Sequence, residues 1–223
     1  MAGIDAVIFD MDGLLVDTEQ LAADAMDAFL LRYGLDRRQD IHDQMLGRRI
    51  LEAIEIVRLG YQLEDPLDEL VLIYSEMRRQ ALVGKVHPMP GALAIVTFLR
   101  EAGLPIGLAS SGIRDHVDLS LREAGLAGLF AVEVTGDEVD HGKPAPDLFL
   151  RAAEGLGVRP AGCIVFEDAP AGIEAAAAAG MRGVCVPNDH SRDKRFPVAP
   201  ELRLASLHEG ITWLEGQGVR LPA

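Results

Sequence analysis

Basic residues are scarce in this chain: 21 Lys and Arg stand against 35 Asp and Glu among 223 residues, a formal net charge of −14. That balance, with a pI near 4.8, argues against nucleic acid or an anionic membrane as partner, since both select basic surface. An anionic ligand would need local cations to offset the field. Nowhere do eighteen apolar residues run together, so no spanning helix is expected. The chain enters an apolar strand without a basic n-region or cleavage site, so no leader is expected either. Cysteine is nearly missing. Cys163 and Cys185 each lie in an apolar, strand-like run, where buried thiols are expected rather than a disulfide. Internal repeats are lacking, and the alanine run at 175–179 is too short for low complexity; it reads as close helix–sheet packing. These features predict a cytoplasmic protein, a monomer or weak homodimer, with one large domain or two small ones.

The chain is organised around Ala6-Val7-Ile8-Phe9-Asp10-Met11-Asp12-Gly13-Leu14-Leu15-Val16-Asp17-Thr18. Its apolar start reads as a strand buried on both faces, as in a parallel sheet. Gly13 lets the backbone turn away sharply, leaving Asp10 and Asp12 at or just past the strand's C-terminal end. Open α/β sheets place their ligands there. Two carboxylates so close repel, and a cation, a proton or an electropositive ligand between them relieves this. Mg2+, held by one or two carboxylates plus substrate phosphate, fits best.

After Thr18 the pattern turns helical. Apolar residues at Leu21, Ala25, Met26, Phe29 and Leu30 predict a helix over Glu19–Tyr33, stopped by Gly34. Further helices are expected at Ile41–Met45, Ile50–Leu59 and Pro66–Val83, followed by a stiff junction at Pro88-Met89-Pro90-Gly91. Strand and helix then alternate, the mark of a doubly wound parallel sheet. Strands are predicted at Ile106–Ala109, Phe130–Val134, Cys163–Phe166, Gly183–Val186 and Leu202–Ala205. Helices are predicted at Leu93–Glu101, Ile113–Glu123, Asp147–Glu154, Ile173–Ala179 and Leu207–Leu214. The expected architecture is an α/β, doubly wound parallel-sheet (Rossmann-like) core of residues 1–15 and 87–223. A small all-helical cap, residues 16–86, is inserted into it.

Three later stretches carry chemistry-bearing groups near predicted strand ends. In Ala109-Ser110-Ser111-Gly112 a hydroxyl precedes a helix, either to bind phosphate or to cap that helix, with Ser111 the candidate cap. In Gly142-Lys143-Pro144 a lysine is held with little freedom, a cation for a phosphoryl group or a surface lysine in a turn. In Phe166-Glu167-Asp168-Ala169-Pro170 a strand again ends in an acidic pair before a helix, where a single acid reads as a helix cap and two are less easily explained so.

Together these four stretches resemble the motifs of the haloacid dehalogenase superfamily of aspartate-dependent phosphotransferases, across residues 10–173. The resemblance implies a phosphatase with a helical cap. It points to the branch that includes sugar-phosphate and pseudouridine 5′-phosphatases and β-phosphoglucomutases. It assigns Asp10 as nucleophile and Asp12 as general acid and base, and gives Ser110 and Lys143 to the phosphate, with Ser111 beside them. Mg2+ would be held by Asp10, the Asp12 backbone carbonyl and Asp168, with Glu167 as a further ligand or outer partner. The substrate implied is a small-molecule phosphate ester, a sugar phosphate or nucleoside monophosphate. In the cap, Gly47 faces the active site in related proteins, and Arg48, Arg49 and Arg78 are the candidate contacts to the leaving group. Mutases of this kind carry a histidine where this chain has Ala22 and an arginine where it has Ile50. Hydrolysis is therefore expected; a phosphosugar mutase is the first alternative and an inert scaffold the second.

Overall fold

The computed structural model describes residues 3–45 and 48–222. Ala6–Phe9 forms β1, all four residues buried. Helices α1 (Glu19–Leu31), α2 (Gln39–His42), α3 (Ile50–Tyr61) and α4 (Leu67–Leu82) follow without an intervening strand. The remainder runs α5 (Ala92–Glu101), β2 (Ile106–Ala109), α6 (Arg114–Glu123), β3 (Val132–Val134), α7 (Asp147–Leu156) and β4 (Cys163–Glu167). It ends with α8 (Pro170–Ala178), β5 (Arg182–Cys185), β6 (Leu202–Arg203) and α9 (Leu207–Gly216). Short 3-10 turns at Gly136–Glu138 and Pro160–Gly162 lie between these elements.

The six strands form one parallel sheet in the order β3-β2-β1-β4-β5-β6. Alternation along β1 divides the core. Val7 and Phe9 join the cluster under α5, α6 and α9, while Ala6 and Ile8 join the one under α7 and α8. Both faces are thus covered, the doubly wound Rossmann-like arrangement expected. Phe9 and Phe166 stack across neighbouring strands at 5.4 Å, with Trp213 edge-on to Phe166 at 6.3 Å. The alanines of α8 allow the close approach expected of them: a Cβ on Gly183 would sit 3.2 Å from Ile173 and 3.6 Å from Ala176. Cys163 and Cys185 are buried free thiols.

Several boundaries differ from the periodicity reading for local reasons. Helix α8 starts at Pro170 rather than Ile173, because a proline suits the first helical turn. Phe130 lies outside β3 and packs edge-on against Phe9 at 6.4 Å instead. Met45 follows α2 in a turn. Ser111 does not precede α6; Ile113 does, and Asp137 accepts from the Arg114 N–H at 3.1 Å in place of a serine cap.

Helices α1–α4 enclose their own apolar cluster, centred on Phe29, Ile54, Leu70 and Tyr74. The two strands of chain that connect them to the sheet run side by side. Val16 bridges Pro88, Asp17 N–H donates to His87 O at 2.9 Å, and Met89 N–H donates to Leu15 O at 2.9 Å. Among the described residues no helix is long and apolar enough to cross a membrane.

Helix α6 meets α4 through His116, which is buried with Nε2 2.9 Å from Ser75 O. Burial and the nearby Arg78 charge push its pKa down to about 4. The unfolded imidazole titrates near 6.5, so between these values the unfolded chain binds the extra proton. Stability is full above pH 6.5 and falls toward pH 4 by about 3 kcal/mol from this group. His116→Gln keeps a donor for Ser75 O but cannot titrate. Urea denaturation from pH 7 to 4 should show a shallower loss in the variant than in the wild type.

Candidate active site

The strand order reverses between β1 and β4, so the crevice of the sheet opens at their C-terminal ends. Register does the rest. Phe9 pairs with Phe166, and Asp10 N–H donates to Phe166 O at 3.0 Å, which sets Asp10 beside Glu167 and Asp168. Carboxylate oxygens of Asp10, Glu167 and Asp168 all lie within 4.8 Å of one another, each residue buried. From the loop after the Gly136–Glu138 turn, Lys143 reaches under them. Its ammonium donates to Asp10 Oδ1 and, at 2.8 Å, to Glu167 Oε1, and lies 4.9 Å from the Phe149 ring centre.

Burial raises the Asp10 pKa to about 8; Lys143 opposes the rise, while Glu167 and Asp12 add to it. Asp168 is raised well above the usual carboxyl value, again by burial first and then by Glu167 and Asp10. Burial disfavours the Lys143 ammonium, but Asp10 and Glu167 more than offset this and its pKa lies above that of free lysine. Were all three carboxylates ionised, the one ammonium would leave two negative charges uncompensated, and the raised pKa values of Asp10 and Asp168 reflect burial together with that deficit. An all-oxygen donor set with that deficit fits a hard divalent cation.

Asp12 is held apart from this cluster. Its Oδ1 accepts from Thr18 Oγ1 at 2.6 Å and from Arg78 at 3.1 Å, and its Oδ2 from Ser110 Oγ at 3.3 Å. Ser110 is fully buried and also accepts from Gly112 N–H at 3.0 Å, so it sits behind the site while Ser111 faces it. Glu167 Oε2 accepts from Ala169 N–H at 2.6 Å, which anchors the acid at the start of α8. Asp168 does not cap that helix, which Ala169 precedes. Instead it accepts from Asn188 Nδ2 at 2.9 Å, and the same amide nitrogen donates to Gly13 O at 3.0 Å.

Between these groups and helices α1–α4 lies a cavity of about 100 Å³. Asp10, Asp12 and Asp168 form its floor, and Ala22, Met26, Ile50 and Tyr74 an apolar wall. A family model described as haloacid dehalogenase-like hydrolase matches residues 4–180. The chain belongs to that family. It is 38% identical over 211 residues to (DL)-glycerol-3-phosphatase 1, mitochondrial, of Arabidopsis thaliana, covering 92% of this chain and 70% of that one. It is 36% identical over 209 residues to the Drosophila melanogaster protein named "Probable pseudouridine-5'-phosphatase", covering 90% and 88%. The crystal structure of CbbY from Rhodobacter sphaeroides in complex with phosphate superposes with a TM-score of 0.83 at 25% identity, covering 92% of this chain and 96% of that one.

The family motifs thus converge in one crevice, but the three arginines singled out in the sequence separate. Arg78 lines the cavity on Asp12, and Arg48 lines it farther out, its Nε donating to Gln44 O at 2.8 Å. Arg49 does not line it and binds backbone carbonyls of the core instead. Gly47 lies outside the described residues. Residues of the site left unassigned in the sequence include Thr18, Glu19, Asn188 and His190, and His42, Ser191 and Lys194 also line the cavity. Glu19 and His190 line the cavity, and burial raises the Glu19 pKa, with Asp12 adding to the rise and Arg78 opposing it. Glu19 directly follows the first motif, so its position could have been flagged; Asn188 is brought in only by the turn after β5.

The ion cluster makes a direct prediction for the protein without metal. Lys143→Met keeps the shape and removes the ammonium, so at pH 7 stability should fall by about 3 kcal/mol in urea denaturation. An unchanged midpoint would mean that the carboxyls have taken up protons and that the ammonium does not hold the cluster together.

Proposed function

We propose that the chain is a magnesium-dependent phosphomonoesterase. It hydrolyses a small phosphorylated metabolite, a sugar phosphate or nucleoside monophosphate, through an aspartyl-phosphate on Asp10. Membership of a hydrolase family, with phosphatases among its relatives, makes it a phosphoric monoester hydrolase. The observation that carries the mechanism is the buried placement of Asp10 against Lys143, with Asp12 beside it at the cavity floor. Residues 16–86 act as a cap over the core, closing over substrate and reopening for release.

Asp10, the Asp12 backbone carbonyl and Asp168 would hold the magnesium ion, with Glu167 bound directly or through water. The bound ion supplies charge neutralisation for the phosphoryl oxygens. Asp10 attacks phosphorus in line, and the bond to the ester oxygen breaks as Asp12 delivers a proton to it. Asp12 then takes a proton from water as the water oxygen attacks the acyl phosphate. Free phosphate leaves and Asp10 is restored. Lys143 holds Asp10 in place and, with Ser111, attracts the phosphoryl group, while Ser110, the residue expected on the phosphate, supports Asp12 from behind.

The leaving group faces the apolar wall and the Glu19 carboxylate, with Arg48 and Arg78 as the cationic contacts. Such a lining suits a compact, hydroxylated leaving group whose hydroxyls donate to Glu19. Ala22 and Ile50 both line this cavity. Neither can bind a second phosphate, which favours hydrolysis over mutase chemistry. The acidic composition supports action in the cytoplasm, as a monomer or weak homodimer, without nucleic acid or membrane as partner.

Two variants test the roles. Asp10→Asn keeps the shape and lacks the attacking oxyanion, so turnover of p-nitrophenyl phosphate should vanish; near wild-type turnover would overturn the mechanism. Asp168→Asn should raise the magnesium concentration for half-maximal activity by about tenfold or more. Over a panel of sugar phosphates and nucleoside monophosphates, free phosphate should appear in equal amount to the alcohol. Phosphate-free conversion of β-glucose 1-phosphate to glucose 6-phosphate, stimulated by bisphosphate, would decide for a mutase.

A further inference from the structure

Helix α3 begins against the very loop that carries Lys143. Arg49, immediately before that helix, donates from Nη1 to Val139 O at 2.7 Å and to Gly136 O at 3.4 Å. Its Nε and Nη2 bind Glu52 Oε1 at 2.9 and 2.6 Å. The same Glu52 oxygen accepts from Gly142 N–H at 3.3 Å, one residue before Lys143. A Cβ on Gly142 would lie 2.7 Å from Arg49 Cγ and 2.8 Å from Glu52 Oε2, so the loop has room for the pair only as glycine. Gly136 is shaped in the same way: a Cβ there would sit 3.1 Å from Arg49 Cγ as well as striking Ser111 O. Arg49 is mostly buried, its side chain 15% exposed, and Glu52 Oε2 is buried with no partner.

We infer that Arg49 and Glu52 are positioning residues for Lys143, a latch by which closure of the helical cap sets the phosphate-binding lysine. The argument is one of reach. Lys143 must hold its ammonium on Asp10 and Glu167 within a few tenths of an ångström, yet its loop has no strand to fix it. Two carbonyls and one N–H of that loop are tied to α3 instead. Arginine suits the task, because its planar fork binds a carboxylate on one side and carbonyls on the other at once. When the cap swings away these ties break, and the lysine loop loses its outer support. The inference rests on the phosphatase reading for its activity readout alone.

The test combines Arg49→Ala, Gly142→Ala and the double variant. Each should lower kcat/KM for p-nitrophenyl phosphate by about tenfold or more, since small misplacements of catalytic groups are costly. Because both act on one latch, the double variant should be no worse than the worse single one. Hydrogen exchange supplies a readout that needs no activity. Amides of residues 136–145 should exchange at least about fivefold faster in Arg49→Ala, while β4 amides keep the wild-type rate. Unchanged kcat/KM in Arg49→Ala, additive losses in the double variant, or unchanged exchange at 136–145 would each overturn the latch. Faster exchange in β4 would also count against it, by showing that the pair supports the whole fold instead. An inactive wild-type enzyme would overturn the phosphatase reading and leave the exchange arm to judge the latch.

Discussion

Everything in the crevice depends on one buried ammonium. Lys143 sits among Asp10, Glu167 and the Phe149 ring, with almost no exposure to water. Burying such a group costs several kcal/mol unless opposite charge meets it. The two carboxylates in turn are tolerable only because the ammonium is there. This mutual dependence joins three parts of the chain that are far apart in sequence: the end of β1, the loop before α7 and the end of β4. It also explains why the strand ends must be in register. Shifting β4 by one residue would turn Glu167 to the other face of the sheet and leave the ammonium facing a single acid.

Much of this was legible in the sequence, and for one reason. Strands buried on both faces are written as apolar runs, so a carboxylate at the end of such a run stands out. Asp10 and Glu167 were visible in that way, and the doubly wound sheet with its helical insertion followed from the change of rhythm at Thr18 and Pro88. What stayed hidden is carried by tertiary approach. Asn188 lies in a polar turn after β5 and looks like any surface asparagine until its amide is seen bridging Asp168 and Gly13 O. Arg48, Arg49 and Arg78 are alike in sequence, yet one lines the cavity rim, one holds a core loop and one meets Asp12. Arg48 and Arg49 are neighbours in the segment just before α3, yet only Arg48 faces the cavity, and composition carries no trace of that. Ser111 misled for a related reason: the donor at the start of α6 is satisfied by Asp137 from another loop, which no local rule anticipates.

The two halves of the cavity follow different logic. The floor is acidic and built on strand ends, held by Lys143, Asn188 and the hydrogen bonds to Asp12. The wall over it is largely apolar and helical, interrupted by Glu19, His42, Arg48 and Arg78 and, from the loop after β5, by His190 and Lys194. A phosphoryl group presents the same three oxygens whatever it is attached to, so the floor has little to discriminate. Selection among substrates falls to the wall, where changing one side chain alters volume and polarity without disturbing the ion cluster. A family that keeps the floor and varies the wall can therefore serve different phosphate esters. The glycerol-3-phosphatase and pseudouridine-5′-phosphatase names of two relatives fit that division.

Two arginines bracket the cavity, and their strength sets how the enzyme can work. Arg78 ties α4 to Asp12, and Arg49 ties the start of α3 to the Lys143 loop. Both contacts are partly hydrated, with arginine side chains 14% and 15% exposed. Such pairs contribute more than exposed ones, which are worth about 0–1 kcal/mol, and less than a sealed pair, whose rupture costs about 3–5 kcal/mol. An intermediate value suits the proposed cap, which would have to close over a small substrate and open again. Sealed pairs would hold it shut, whereas exposed ones would let it drift. Both ties end on groups adjoining Asp10, Asp12 two residues after it and the Lys143 loop beneath it. Under the proposed latch, opening of α1–α4 would loosen these groups at the same moment as it admits solvent. Closure and catalytic competence would then be a single event, with no further element needed to couple them.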